Sequence, residues 1–130
     1  MKYFNLAFLV FAILVSLVSL SRAADLEVSR AAVCTAIEDR EPVGAADTFD
    51  IDVGKVYLSA EVMGADENTP IKHIWYYDGD AVLTVDMTIS GPRWRTWSYK
   101  NIYESMTGKW RAEITDEQGN VLKSVSFEIK

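Results

Sequence analysis

The sequence predicts an all-β fold, a small immunoglobulin-like or fibronectin-like β-sandwich of about seven strands. Apolar and polar residues alternate with a period of two in several short runs after the first 23 residues, and Gly, Pro and Asp separate these runs. In the same part of the sequence, no stretch has the periodicity of a long amphipathic helix. A small closed barrel is the alternative architecture.

Two segments show the alternation most clearly. In residues 81–89, alternate positions hold Ala, Leu, Val, Met and Ile, and in residues 56–62 they hold Val, Leu, Ala and Val. Each pattern is typical of a strand that buries one face. The remaining predicted strands are residues 30–38, 71–77, 94–102, 109–114 and 121–129.

Turn-forming residues separate these strands. Asp78-Gly79-Asp80 and residues 116–120 each contain a Gly that can adopt a positive φ, so both are predicted to close hairpins. Residues 38–52 are acidic and contain Pro42 and Gly44, and we expect them to form a crossing loop.

The first 23 residues have the three parts of a secretory signal peptide. Lys2 supplies the positive start, residues 6–15 are continuously apolar, and Ser21 and Ala23 fit the −3 and −1 positions of a peptidase site. We therefore expect cleavage after residue 23, a single mature domain of residues 24–130, and an exported protein that is periplasmic or secreted. After cleavage we expect no membrane association. A retained membrane anchor is the alternative.

The mature chain is strongly acidic. Removal of Lys2 and Arg22 leaves 11 of the 13 basic residues against all 19 acidic residues, a net charge of −8. Such a surface repels phosphate backbones, so nucleic acid is not an expected partner. Cys34 is the only cysteine and cannot form an internal disulfide, so stability must come from the core. We expect no cofactor and no bound metal; the oligomeric state stays open.

Aromatic and basic residues concentrate in two segments, His73-Ile74-Trp75-Tyr76-Tyr77 and Arg93-Trp94-Arg95-Thr96-Trp97-Ser98-Tyr99-Lys100. In a strand, the second segment would place Arg93, Arg95, Trp97 and Tyr99 on one face and Trp94, Thr96, Ser98 and Lys100 on the other. One interpretation is an aromatic platform with basic donors, suited to sugar rings or an anionic group. The structural interpretation, which we favour, is that Trp75 and Trp110 fill the core while the arginines stack on rings or pair with acids.

His73 is the only histidine. A hydrolase could use it as a general base beside a carboxylate, but no nucleophile turn accompanies it. We therefore expect that the protein is not an enzyme.

Several runs resemble a bacterial family known as domain of unknown function 2914: AAVCTAIEDREP at 31–42, KVYLSAEV at 55–62, IKHIWYY at 71–77, RWRTWSYK at 93–100, TGKW at 107–110 and DEQGNVL at 116–122. The resemblance implies an exported β-sandwich with no established activity. It also implies a signature of His73, Trp75, Tyr76, Arg93, Trp94, Arg95, Trp97, Ser98, Lys100, Gly108 and Trp110.

These observations predict a non-catalytic binding or interaction module of the bacterial periplasm or cell envelope, with a glycan or an envelope protein as its partner. The candidate ligand-binding residues are His73, Trp75, Tyr76, Arg93, Trp94, Arg95, Trp97, Ser98 and Lys100. The alternatives are a small hydrolase that uses His73 with a carboxylate, and a structural adaptor that pairs through a strand edge.

Overall fold

Alternating apolar and polar residues form ten β-strands in residues 25–130, the part of the chain that this computed structural model describes. In chain order they are β1 (Glu27–Cys34), β2 (Ala36–Glu38), β3 (Glu41–Val43), β4 (Thr48–Phe49), β5 (Lys55–Met63), β6 (Thr69–Tyr77), β7 (Asp80–Ile89), β8 (Arg93–Asn101), β9 (Gly108–Asp116) and β10 (Val121–Ile129). One 3-10 turn spans Ile51–Val53. The predicted signal peptide and its alternative as an anchor lie outside the described residues.

The strands form two packed sheets and a hairpin. The first sheet has the strand order β1-β5-β8, the second has the order β4-β10-β9-β6-β7, and β2 pairs with β3 alone. All pairs are antiparallel except β4 with β10. This arrangement confirms the predicted all-β sandwich, and six of the seven long strands, β5 to β10, correspond to predicted ones. Within residues 25–130, no helix has the length and apolar character needed to cross a membrane.

The core lies between the inner faces of the two sheets. The alternate apolar residues of β5, predicted to face inward, are all buried. Trp75 and Trp110 are 0% and 2% exposed, which confirms that they fill the core. Phe127 packs against both rings, at centroid distances of 6.1 and 5.9 Å. The buried apolar residues are Val33, Phe49, Val56, Leu58, Ala60, Val62, Ala65, Ile71, Trp75, Ile89, Ile102, Trp110, Ala112, Ile114, Phe127 and Ile129.

The predicted crossing loop at residues 38–52 is wrong, because this segment contains β3, β4 and the 3-10 turn. Asp39 and Arg40 both adopt positive φ, 49° and 65°, and so form a tight turn between β2 and β3 without a glycine. The predicted first strand at 30–38 is also wrong as one element. It is divided into β1 and β2 at Thr35, whose amide donates to the carbonyl of Val43.

On one side of the sandwich, each of the two sheets ends in an edge strand. β8 is the last strand of the three-stranded sheet and β7 is the last strand of the five-stranded sheet. The two strands lie against each other, whereas β1 lies against β10 on the opposite side. The free edge of the five-stranded sheet therefore lies next to β8, the strand that carries the aromatic and basic segment.

Gly64, directly after β5, allows a test of the close contact between this position and the backbone of Asp25. It has a φ of +97°, and an added Cβ would lie 2.5 Å from the carbonyl oxygen of Asp25. Gly119 has a φ of +86° with no atom within 4 Å of an added Cβ. Gly119→Ala should therefore lower the free energy of unfolding by about 1 kcal/mol through backbone strain alone, and Gly64→Ala by about 2–3 kcal/mol. Urea unfolding of both variants checks this, and equal losses would contradict the close contact at Gly64.

Candidate functional site

Strand β8 divides the aromatic and basic segment into an inner and an outer face. Its antiparallel register with β5 sets Thr96 opposite Ala60 and Ser98 opposite Leu58, both inward positions. Trp97 and Tyr99 lie opposite Ser59 and Tyr57 on the outside. The predicted division into two faces is confirmed, and the structure adds which face enters the core.

The inner face forms a polar network between the two sheets. His73 of β6 lies with Nδ1 2.7 Å from Ser98 Oγ and Nε2 3.0 Å from Thr96 Oγ1, both on β8. The indole N–H of Trp75 donates to the same Ser98 oxygen over 3.1 Å. These three hydrogen bonds satisfy polar groups that would otherwise be buried without partners. They also join the two sheets across the core.

Burial lowers the pKa of His73 from 6.5 to about 4. The imidazole is therefore neutral at pH 7, and a neutral ring can donate from one nitrogen while accepting at the other. The hydrolase hypothesis pairs His73 with a carboxylate. In the structure its two ring nitrogens contact the hydroxyls of Ser98 and Thr96, and the side chain is fully buried.

The outer face of β8 presents aromatic rings to solvent. Trp97 is 44% exposed and Tyr99 is 46% exposed. Tyr57 of β5 lies beside Tyr99 at a ring-centroid distance of 5.6 Å, and Lys55 Nζ lies 4.5 Å above the Tyr99 ring. We call Tyr57, Trp97 and Tyr99 the aromatic platform.

The platform borders a groove between the edge strands β7 and β8. This groove has a volume of about 660 Å³ and is lined by Val82, Leu83 and Val85 of β7 as well as by the platform and the end of β8. Val82 is exposed on the rim. An apolar floor beside exposed rings is the kind of surface that contacts ligands in binding domains.

Arginines surround one buried carboxylate at the other end of the same face. Glu61, only 5% exposed, accepts hydrogen bonds from Ser29 Oγ at 2.8 Å, Arg93 Nε at 2.9 Å and Arg30 Nη2 at 3.2 Å. Arg95 Nε lies 3.8 Å from the same carboxylate. The hydrogen bonds from Ser29, Arg93 and Arg30 lower the pKa of Glu61 to about 2, although burial opposes this shift.

Sequence reasoning missed Glu61, Glu41 and Arg30 because they lie on other strands. Glu61 occupies a polar position in the alternation of β5, which indicated only a solvated residue. The register of β5 and β8, which sets Glu61 opposite Arg95, is the information that would have identified the pair. Such a register is not readable from one sequence.

Seven of the nine predicted site residues occupy three places. Arg93, Arg95 and Trp97 lie on the outer face of β8. His73, Trp75 and Ser98 lie in the core. Tyr76 lies on the outer face of the other sheet, with the Arg111 guanidinium 4.2 Å from its ring centroid.

The two remaining residues, Trp94 and Lys100, are near the ends of β8. Trp94 occupies an inward position, yet 40% of it is exposed at the end of the sandwich. Lys100 is half-buried, and this burial lowers its pKa. In residues 25–130 no three His, Cys, Asp or Glu side chains are grouped so that they could hold a metal ion.

These observations define a two-sheet β-sandwich with a buried His-Ser-Thr-Trp network and an aromatic platform on its outer surface. Residues 68–129 match the model of the family described as Protein of unknown function (DUF2914), so this part of the chain is similar to that family. The resemblance inferred from the sequence is thus confirmed, with the match covering β6 to β10. A comparison with the curated proteins gave no match.

The polar network predicts a specific loss of stability. Ser98→Ala removes the oxygen shared by His73 and Trp75 and leaves their polar nitrogens buried, which should lower the free energy of unfolding by about 1–3 kcal/mol. Ser124→Ala, an exposed serine on β10, is the matched control and should change it by less than about 0.5 kcal/mol. Urea melts compare the two, and overlapping curves would contradict the network's role.

The low pKa of His73 predicts a pH dependence. The unfolded state takes up a proton near pH 6.5 and the folded state only near pH 4, so stability falls as the pH decreases through this window. The free energy of unfolding should be about 2 kcal/mol lower at pH 5 than at pH 7.5. Glu61 also stabilises the folded state through its lowered pKa, but this contribution is lost only as the pH falls below the ordinary pKa of 4.5.

His73→Gln is the control, because it keeps polar atoms at this position but cannot titrate in the window. Urea melts at both pH values should show the decrease for the wild type and a much smaller one for His73→Gln. The same decrease in both proteins would show that His73 is not its source.

Proposed function

We propose that this domain is a non-catalytic binding module, and that it contacts its ligand through the aromatic platform and the adjoining groove. The observation that carries the proposal is the pair of exposed rings, Trp97 and Tyr99, at successive outward positions of β8. The ligand is a glycan or an envelope protein.

Packing does not account for these two rings. The core is already filled by Trp75, Trp110 and Phe127, which contact one another between the sheets. Trp97 and Tyr99 lie on the opposite side of the three-stranded sheet from this core. Large aromatic side chains that stay exposed carry a solvation cost and are enriched where proteins bind ligands.

The proposal places this binding in the bacterial periplasm or cell envelope. Its support is the pattern of the first 23 residues, which is typical of a secretory signal peptide. An exported domain of this size meets cell-wall and surface glycans, and aromatic rings suit them because a sugar ring has an apolar C–H face and a polar rim.

The test is binding of residues 24–130 to an array of cell-wall and surface glycans. We expect wild-type binding above background, and we expect Trp97→Ala to weaken it about tenfold or more because the ring supplies much of the contact area. Tyr76→Ala, on the outer face of the other sheet, is the matched control and should bind like the wild type.

Urea melts accompany this test, and Trp97→Ala should keep the wild-type stability within about 0.5 kcal/mol, as is usual for exposed residues. Glycan binding that Trp97→Ala does not change would place the site elsewhere. If no glycan binds above background, the glycan version of the proposal fails.

A further inference from the structure

A cavity with basic walls adjoins the aromatic platform. It has a volume of about 250 Å³ and lies between the β2-β3 hairpin and the three-stranded sheet, with Arg30, Arg40, Glu41, Glu61 and Arg95 among its lining residues. Arg95 and Trp97 are successive outward residues of β8, so the cavity and the platform are about 7 Å apart along the strand. A single ligand can therefore span both.

The buried carboxylate of Glu61 holds the arginines in place. Arg93 contacts it through Nε and Arg30 through Nη2. A guanidinium has five N–H donors, so each arginine keeps further donors for other acceptors. The side chain of Arg93 is 63% exposed to solvent although its Nε contacts Glu61. Glu61 thus orients a set of cations toward solvent.

Glu41 shows that this arrangement accepts a carboxylate. Its side chain reaches in from the hairpin, with one oxygen 3.0 Å from Arg95 Nη2 and the other 3.4 Å from Arg30 Nη1. The side chains of Glu41 and Arg30 are about half exposed, and exposed ion pairs of this kind contribute little to stability. An acidic group from a ligand could therefore take the place of Glu41.

The local charge favours an anion. Four arginines, at positions 30, 40, 93 and 95, surround two glutamates, while the whole chain has a net charge of −6. A basic patch on an otherwise acidic protein attracts a negatively charged ligand.

We infer that the ligand of this module is an anionic glycan. A sugar ring lies on Trp97 and Tyr99, and its carboxylate or sulfate is bound by Arg95, which lines the cavity, and by the exposed guanidinium of Arg93 beside Glu61. This inference rests on the proposed function, because it uses the same platform. Flat, exposed rings favour a glycan over an acidic peptide, since they match the apolar face of a sugar ring.

Isothermal titration calorimetry with four probes tests the inference: hexagalacturonate, a chondroitin sulfate hexasaccharide, neutral cellohexaose and hexaglutamate. At least one acidic sugar should bind tenfold or more tightly than cellohexaose. Hexagalacturonate carries carboxylates alone and chondroitin sulfate carries both carboxylates and sulfates, so tight binding of chondroitin sulfate alone would indicate sulfate recognition. The preference should decrease when NaCl is raised from about 0.05 to 0.5 M, because salt screens exposed charges.

Three variants separate the roles of the residues. Arg93→Gln should reduce the preference for the acidic sugar about tenfold without loss of neutral-sugar binding, whereas Trp97→Ala should weaken both. Glu41→Gln should increase acidic-sugar affinity about threefold, because it removes the internal competitor for Arg95 and Arg30. Lys123→Gln, an exposed charge on β10, is the control and should leave all affinities unchanged.

The possible failures are distinguishable. Equal binding of cellohexaose and both acidic sugars, lost together in Trp97→Ala, would overturn the anionic preference and leave the proposed function standing. Hexaglutamate binding as tightly as the acidic sugars would overturn the glycan assignment. If none of the four probes binds, the inference fails. The glycan array then tests the proposed function separately.

Discussion

The hydrogen bond between His73 and Ser98 is the interaction on which the arrangement of the two sheets depends. It joins β6 to β8 across the core, and Trp75 donates to the same serine oxygen. Apolar contacts would tolerate small sliding movements between sheets, because they are not directional. A buried polar network has defined partners and geometry, and a shift would leave its groups unsatisfied. The network therefore fixes how β6 and β8 face each other.

This constraint also determines the outer surface. Side chains of a strand alternate between its two faces, so fixing Thr96 and Ser98 inward places Arg95, Trp97 and Tyr99 outward. A shift of one residue in the pairing of β5 and β8 would bury the arginines and expose the hydroxyls. The segment Arg93-Trp94-Arg95-Thr96-Trp97-Ser98 thus combines a structural inner face with a candidate binding outer face, which explains why neither face looked purely apolar in the sequence.

The sequence predicted what depends on local pattern. The period-two alternation identified the long strands, and the size and apolar character of Trp75 and Trp110 indicated their burial. The β2-β3 hairpin was missed because Asp39 and Arg40, rather than Gly, adopt the positive φ angles of its turn. The surroundings of Glu61 could not be predicted, because they combine β1, β5 and β8, and strand order and register arise from packing of the whole chain.

The strand order also affects how the domain boundary is understood. The family match begins at residue 68, yet β8 within it forms its ladder only with β5, which lies before that residue. A polypeptide of residues 68–129 would keep four strands of the five-stranded sheet and leave β8 with no neighbour for its backbone amides and carbonyls. It would also expose the inner face of that sheet, including His73 and Trp75. A unit that keeps β8 paired therefore includes β5, and is larger than the matched segment.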